Sequence, residues 1–226
     1  MQPLPLDGYK LVAAPSLNVL PKDLADHLLA YVQNGGHLVL GPRSGMKDEF
    51  NALLPQRQPG FLVDALGARV EQYYALEKNF PLSGTWGSGE ASIWAEQLKS
   101  QAPGEEVLLK YGRSNGWLDD QPAVITRAYG KGRITYVGAV LDDKLMAAAA
   151  EWMTQKSGVM PVFGPVPEGV EVSRRVGPGK QVFVIINYSQ ENHEVALPHS
   201  MNLMLDGKAG DAVKLPPYGV AVALDK

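Results

Sequence analysis

Helix-period patterning in this chain is confined to the residues before about 160, and everything after them reads as short strands. Near the start, Tyr9-Lys-Leu-Val-Ala-Ala-Pro15 is an apolar run closed by proline, the pattern of a buried strand. Pro21 stands where a first helical turn tolerates proline, and Leu24, Leu28, Tyr31 and Val32 recur at helical spacing. Gly35-Gly36 stops that helix, and His37-Leu-Val-Leu-Gly41 supplies a second strand. Two parallel strands joined through a helix need a right-handed crossover, which points to an α/β open sheet.

The stretch 42–104 is less regular. Phe50 to Leu54 and Leu62 to Leu66 are expected to form short helical turns, and Gly67 to Ala75 alternates like a strand with one wetted face. Phe80 to Ser92, with Gly84, Gly87 and Gly89 around Trp86, reads as an exposed irregular loop. Order returns at Glu106 to Tyr111, and Gly130-Lys-Gly132 joins two β-rich runs into a hairpin. Asp142 or Asp143 can cap a helix reaching Lys156, with Leu145, Met146, Ala149, Trp152 and Met153 on its apolar face.

Three prolines between Val159 and Pro167 then give an extended linker, followed by six strand-like pieces from Val170 to Leu224. The expected organisation is therefore an α/β domain over 1–160 and a small antiparallel all-β domain over 161–226.

Composition removes whole classes of function. Cysteine is absent, which excludes disulfides, thiolate metal sites and cysteine nucleophiles. The net charge is −3 with no basic run, so neither nucleic acid nor an anionic membrane surface is an expected partner. No apolar stretch approaches bilayer-spanning length, and Met1-Gln-Pro-Leu-Pro-Leu lacks the marks of a signal peptide.

The chemistry-bearing residues form few patterns. His27, His37, His193 and His199 make no HExxH motif; Glu191 and Glu194 lie near the last two, but strand alternation separates them, and ordinary surface histidines are the better reading. The doublets Asp48-Glu49 and Asp119-Asp120 point their neighbouring side chains apart, so neither is a natural acid/nucleophile pair. No catalytic residue, cofactor site or metal site is expected. Gly41-Pro-Arg-Ser-Gly45, after the second strand, lies at the carboxyl edge of the sheet, where such sheets bind ligands. It resembles the Gly-x-Cys-x-Gly turn of class I glutamine amidotransferases, but Arg43 replaces the nucleophile, so at most it could hold a small anion. Trp86, Trp94 and Trp117, with Tyr73 and Tyr74 nearby, could pack under loops, anchor a partner or stack on sugars.

In order along the chain, Tyr9 to Pro15, Leu29 to Val39, Arg43-Ser-Gly-Met-Lys-Asp-Glu49, Pro122 to Gly138, Gly169 to Arg174, Val184 to Ser189 and Leu215 to Val220 resemble the carboxyl half of family 42 glycoside hydrolases, bacterial β-galactosidases. The resemblance implies a flavodoxin-like or amidotransferase-like trimerisation domain with helices on both faces, then a small β domain, in a cytoplasmic enzyme. That family's catalysis belongs to a (β/α)₈ barrel, which needs about 250 residues and has no counterpart in this sequence. The family's acid/base glutamate follows an asparagine, and no Asn-Glu dipeptide occurs here.

The expected function is thus a non-catalytic assembly module that forms a homo-oligomer, a trimer in the parent enzyme, and meets galactosides only through that parent. Arg43, Asp48, Glu49, Trp86, Trp94 and Trp117 are the expected contact residues, toward the barrel or a neighbouring subunit. The rival reading is a carbohydrate-binding module with Trp86 and Trp117 as stacking platforms.

Overall fold

The computed structural model describes residues 5–161 and 163–225; residues 1–4 of the amino-terminal stretch and Val162 in the proline-rich linker lie outside them. The chain divides into two compact units, one ending at Val159 and the other beginning at Met160.

The first unit opens with β1 (Leu11–Ala14), α1 (Lys22–Gln33) and β2 (His37–Leu40). A 3₁₀ turn (Gly60–Leu62) and the single turn α2 (Val63–Leu66) lead into β3 (Ala68–Ala75). Then come β4 (Phe80–Gly84), β5 (Gly87–Ser100), β6 (Glu105–Tyr111), β7 (Pro122–Tyr129), β8 (Gly132–Val137), β9 (Ala139–Leu141) and α3 (Asp143–Lys156). These strands form one mixed sheet in the order β1-β2-β8-β7-β6-β4-β5-β3, with β9 paired to β5. Only β1·β2 and β2·β8 are parallel. The α/β expectation holds for that corner, but hairpins build the rest, so the sheet is mixed rather than the mostly parallel sheet of a doubly wound fold.

Helices cover both faces. Alternation along β2 sends Leu38 and Leu40 into a core with Ala25, Leu28, Tyr31 and Val32 of α1. Val39 goes to the opposite core, with Leu145 and Ala149 of α3. The Asp142 carboxylate caps α3 by accepting the Leu145 N–H at 2.8 Å. Met146, assigned to the apolar face by spacing, is instead 51% exposed.

Two expectations fail in the middle region. Phe50 to Leu54 is not helical; an isolated antiparallel bridge joins Lys47 to Leu53, and the Asp48 carboxylate accepts the N–H groups of Phe50 and Ala52 in their place. Phe80 to Ser92 is not an irregular loop but the β4–β5 hairpin. Phe80 and Leu82 alternate inward, Gly87 takes a left-handed φ of 98° after the turn, and a Cβ at Gly84 would strike the Leu108 carbonyl. Glycines placed for close approach had read as glycines of a flexible loop.

The second unit holds β10 (Val170–Gly177), β11 (Lys180–Asn187), β12 (His193–Leu203), β13 (Lys208–Leu215) and β14 (Val220–Asp225). They make an antiparallel sheet in the order β10-β11-β14-β12-β13. The expected strand His193–Leu197 is longer than its pattern suggests, running on to Leu203 as β12 with a register shift against β13 between Ala196 and Met201, and the expected piece Leu203–Leu205 is strand only at Leu203 before a turn. Phe163, Phe183, Ile185, Val195 and Val213 centre its core.

Candidate subunit-contact site

The carboxyl edge of β2 carries the turn Gly41 to Gly45. Neither terminal glycine tolerates a side chain: a Cβ on Gly41 would meet the Pro15 carbonyl, and one on Gly45, at φ 66°, the Pro59 carbonyl. Ser44 is buried and locks the turn, its hydroxyl donating to the Gly41 carbonyl at 2.8 Å and accepting the Leu17 N–H at 3.1 Å. Arg43 sits at φ 65°, a left-handed conformation uncommon for a non-glycine residue, with an exposed side chain.

Behind the turn lies a group that sequence reading missed. Glu96 on β5 is fully buried. Its Oε1 accepts the backbone N–H of Arg43 at 2.9 Å and the indole N–H of Trp94 at 3.1 Å, and its Oε2 accepts the Tyr136 hydroxyl at 2.7 Å. The Tyr111 hydroxyl donates to the Glu96 carbonyl at 3.1 Å. Burial pushes the Glu96 carboxyl above its ordinary value, against the pull of the hydrogen bonds from Tyr136, Trp94 and Arg43 and of the Arg43 charge. Burial, with the charge of Glu96, also drives the Tyr136 phenol well upward. The only sequence signal was an acidic residue inside an alternating strand; its partners come from the turn after β2 and from β5, β6 and β8, which only the folded sheet brings together.

Above Glu96 the side chains form a ladder at the surface. Tyr73 stacks on Trp94 with ring centroids 5.2 Å apart and planes 16° from parallel, and the Arg43 guanidinium lies 5.5 Å from the indole centroid. Ile93, next to Trp94, is 70% exposed at φ 62°. A β-branched residue there costs of order 1–3 kcal/mol, strain that persists only where the surrounding structure imposes it.

The other expected contact residues separate. Glu49 is exposed on the loop after Arg43, beside Phe50, while Asp48 is spent on its turn. Trp86 is a correction: as the last turn residue of the β4–β5 hairpin it folds back into the core, 7% exposed and 5.6 Å from Trp152. It cannot serve as an exposed anchor, and the two-tryptophan sugar platform is not formed. Trp117 is 71% exposed on a loop fixed from within. There Asn115 accepts the N–H groups of Trp117 and Leu118, and Asp119 those of Ser114 and Gly116. Those N–H groups, Ser114 first, hold the Asp119 carboxyl below its ordinary range.

The histidines also lie apart. His37 is buried between Ser157 and Thr135, at 2.8 Å from each hydroxyl. His193 meets the Ser189 hydroxyl at 2.8 Å, and His199 the Asp225 carboxylate at 2.9 Å.

Residues 2–160 match the family model described as the β-galactosidase trimerisation domain, and residues 169–224 that of the β-galactosidase C-terminal domain. The chain belongs to the family 42 β-galactosidases, as their trimerisation and C-terminal domains. The two domains account for nearly all of it and leave no room for a catalytic barrel. It is 33% identical over 230 residues to the β-galactosidase BglY of Alicyclobacillus acidocaldarius, covering 96% of this chain and 33% of that protein. Among solved structures, the β-galactosidase of Rahnella sp. R3 superposes with a TM-score of 0.88 at 28% identity, over 98% of this chain and 33% of that one. The β-galactosidase of Bacillus circulans sp. alkalophilus, at 23% identity and a TM-score of 0.90, shares the fold over 98% of this chain and 34% of its own. The chain spans about a third of the length of the curated relatives it matches.

Proposed function

We propose that this chain is the assembly scaffold of a cytoplasmic β-galactosidase, carrying no chemistry of its own and bringing copies of the enzyme together as a trimer. The match of residues 2–160 to a trimerisation domain carries this reading. The edge turn supports it: the side chain it presents is Arg43, a guanidinium cannot attack a carbonyl, and the buried Glu96 carboxylate behind it is engaged by the Arg43 backbone N–H. The contact surface is assigned to the loop from Arg43 through Asp48 and Glu49 to Phe50, to Trp94 and to Trp117. Trp86 supports it from the core.

Hydrolysis of terminal β-galactosides, with retention, is assigned to the longer parent protein. Light scattering over a concentration series, run beside a chromogenic galactoside assay, tests both halves of the proposal. Trimers without turnover are expected. Turnover stoichiometric with protein overturns the scaffold reading, and a monomer at every concentration overturns the assembly reading.

A further inference from the structure

We infer that the Tyr73–Trp94–Arg43 ladder, extended by Ile93, Phe50 and Leu53, is a face on which a second copy of this chain docks, the Arg43 guanidinium of one copy meeting the Glu49 carboxylate of the next. This rests on the assembly reading above and goes beyond it by naming the face and the pair.

Three observations converge there. Large apolar side chains are left in solvent: Phe50 is 83% exposed, Leu53 67% and Ile93 70%. The loop carrying Leu53 is tied to the ladder, since the Asn18 side-chain amide donates to the Arg43 carbonyl at 3.2 Å while Lys47 bridges both Val19 and Leu53. Second, the backbone is held against local preference at Arg43 and Ile93, φ 65° and 62°, and both side chains project outward. Internal bonds hold both backbones there, from Arg43 N–H to Glu96 and from Leu76 N–H to the Ile93 carbonyl, and strain imposed in this way on exposed residues gathers at functional surfaces.

Third, the charges are complementary across copies. Among the described residues, no carboxylate lies within ion-pair distance of the Arg43 guanidinium, and no cation within that distance of Glu49. Both sit on one loop, six positions apart. Contacts around a threefold ring are head-to-tail, so each copy can offer its Arg43 to one neighbour and its Glu49 to the other, and the pair repeats at every contact of the ring. A guanidinium stacked on an indole and beside apolar side chains also has the composition of an interface centre.

Sedimentation equilibrium of the 226-residue chain, wild type and variants, decides the matter. Arg43→Glu and Glu49→Arg are each expected to weaken association at least about tenfold, and the double variant to restore it. Ile93→Gly is expected to weaken association while leaving the dissociated chain at least as thermostable, a pairing of signs that a purely structural residue would not give. Arg43→Gly relaxes the turn while removing the cation and serves if the glutamate variant does not fold. Met146→Ala, on the exposed side of α3, is the unaffected control. A wild-type assembly indifferent to Arg43→Gly and Ile93→Gly overturns this inference and spares the assembly reading. A double variant no tighter than its singles overturns the Arg43–Glu49 pairing, and a monomeric wild type overturns the assembly reading itself.

Discussion

The hydroxyl of Tyr136 donates to Oε2 of Glu96 at 2.7 Å, and neither side chain touches solvent. This bond fastens β8 to β5, strands that are not neighbours in the sheet, and it orients the carboxylate that holds Arg43 and Trp94 in place. Glu96→Ala would strand three donors at once, and a loss of about 3 kcal/mol or more is expected in urea unfolding. Glu96→Gln keeps the volume but turns an N–H₂ toward donors, so about 1–3 kcal/mol is expected for it.

The sign of the pH dependence at Glu96 follows from its raised value. A carboxyl that binds its proton more tightly folded than unfolded contributes stability that is complete below the unfolded value of 4.5 and is lost as pH rises through the folded one. Between pH 4.5 and neutrality the wild type should therefore lose stability relative to Glu96→Gln. A constant difference across that range would show that burial does not dominate.

Trp86 and Trp117 should respond in opposite ways. Removing the buried Trp86 by alanine is expected to cost about 3–5 kcal/mol, whereas Trp117→Ala should stay within about 0.5 kcal/mol in the dissociated chain. Trp86→Phe is the informative variant, because the Trp86 indole N–H is buried without a hydrogen-bond partner. Phenylalanine deletes that unpaired donor along with some volume, so thermal unfolding should register less than about 1.5 kcal/mol.

Gly41 tests the edge turn by steric means. Its conformation is not left-handed, so propensity alone would allow alanine. A Cβ there would nonetheless collide with the Pro15 carbonyl, and main chain cannot yield as a flexible side chain does. Gly41→Ala is expected to cost about 1–3 kcal/mol or more in urea unfolding and to disturb the turn that presents Arg43.

Much of this molecule was legible in one dimension where local periodicity and caps decide structure. The β1–α1–β2 unit, the β7–β8 hairpin and the Asp142 cap of α3 are of that kind. What stayed hidden depends on contacts distant in sequence. The β4–β5 hairpin hides behind Gly84 and Gly87, and β9 is three residues defined only by its pairing to β5. Among the expected contact residues, Arg43 and Trp94 were identifiable by type and place, but their alignment depends on Glu96, whose burial no local pattern announces. Trp86 and Trp117 looked alike as loop tryptophans, and only the hairpin return decides that one packs inward.

His37 supplies the strongest pH-dependent force in the opposite direction. Burial first, then the nearby Arg133 charge, pushes its imidazole down from 6.5 to about 4. The neutral ring donates and accepts between Ser157, at the end of α3, and Thr135 on β8; Thr135 continues to Thr126 at 2.8 Å. Since the Ser157 hydroxyl already donates to the Met153 carbonyl, Nδ1 carries the proton toward Ser157, and Nε2 accepts from Thr135. Folding therefore favours the neutral form, and the contribution is complete above pH 6.5 and lost as pH falls toward about 4. Its full size is up to about 3 kcal/mol, and it acts against the opposite trend of Glu96 over the same range. The wild type should thus weaken on acidification from pH 6.5, and His37→Asn should start weaker but decline less steeply. Following the imidazole proton resonances through the titration checks the cause directly: a midpoint near 6.5 for His37 would mean that the ring is solvated, and the predicted acid sensitivity would then have to arise elsewhere.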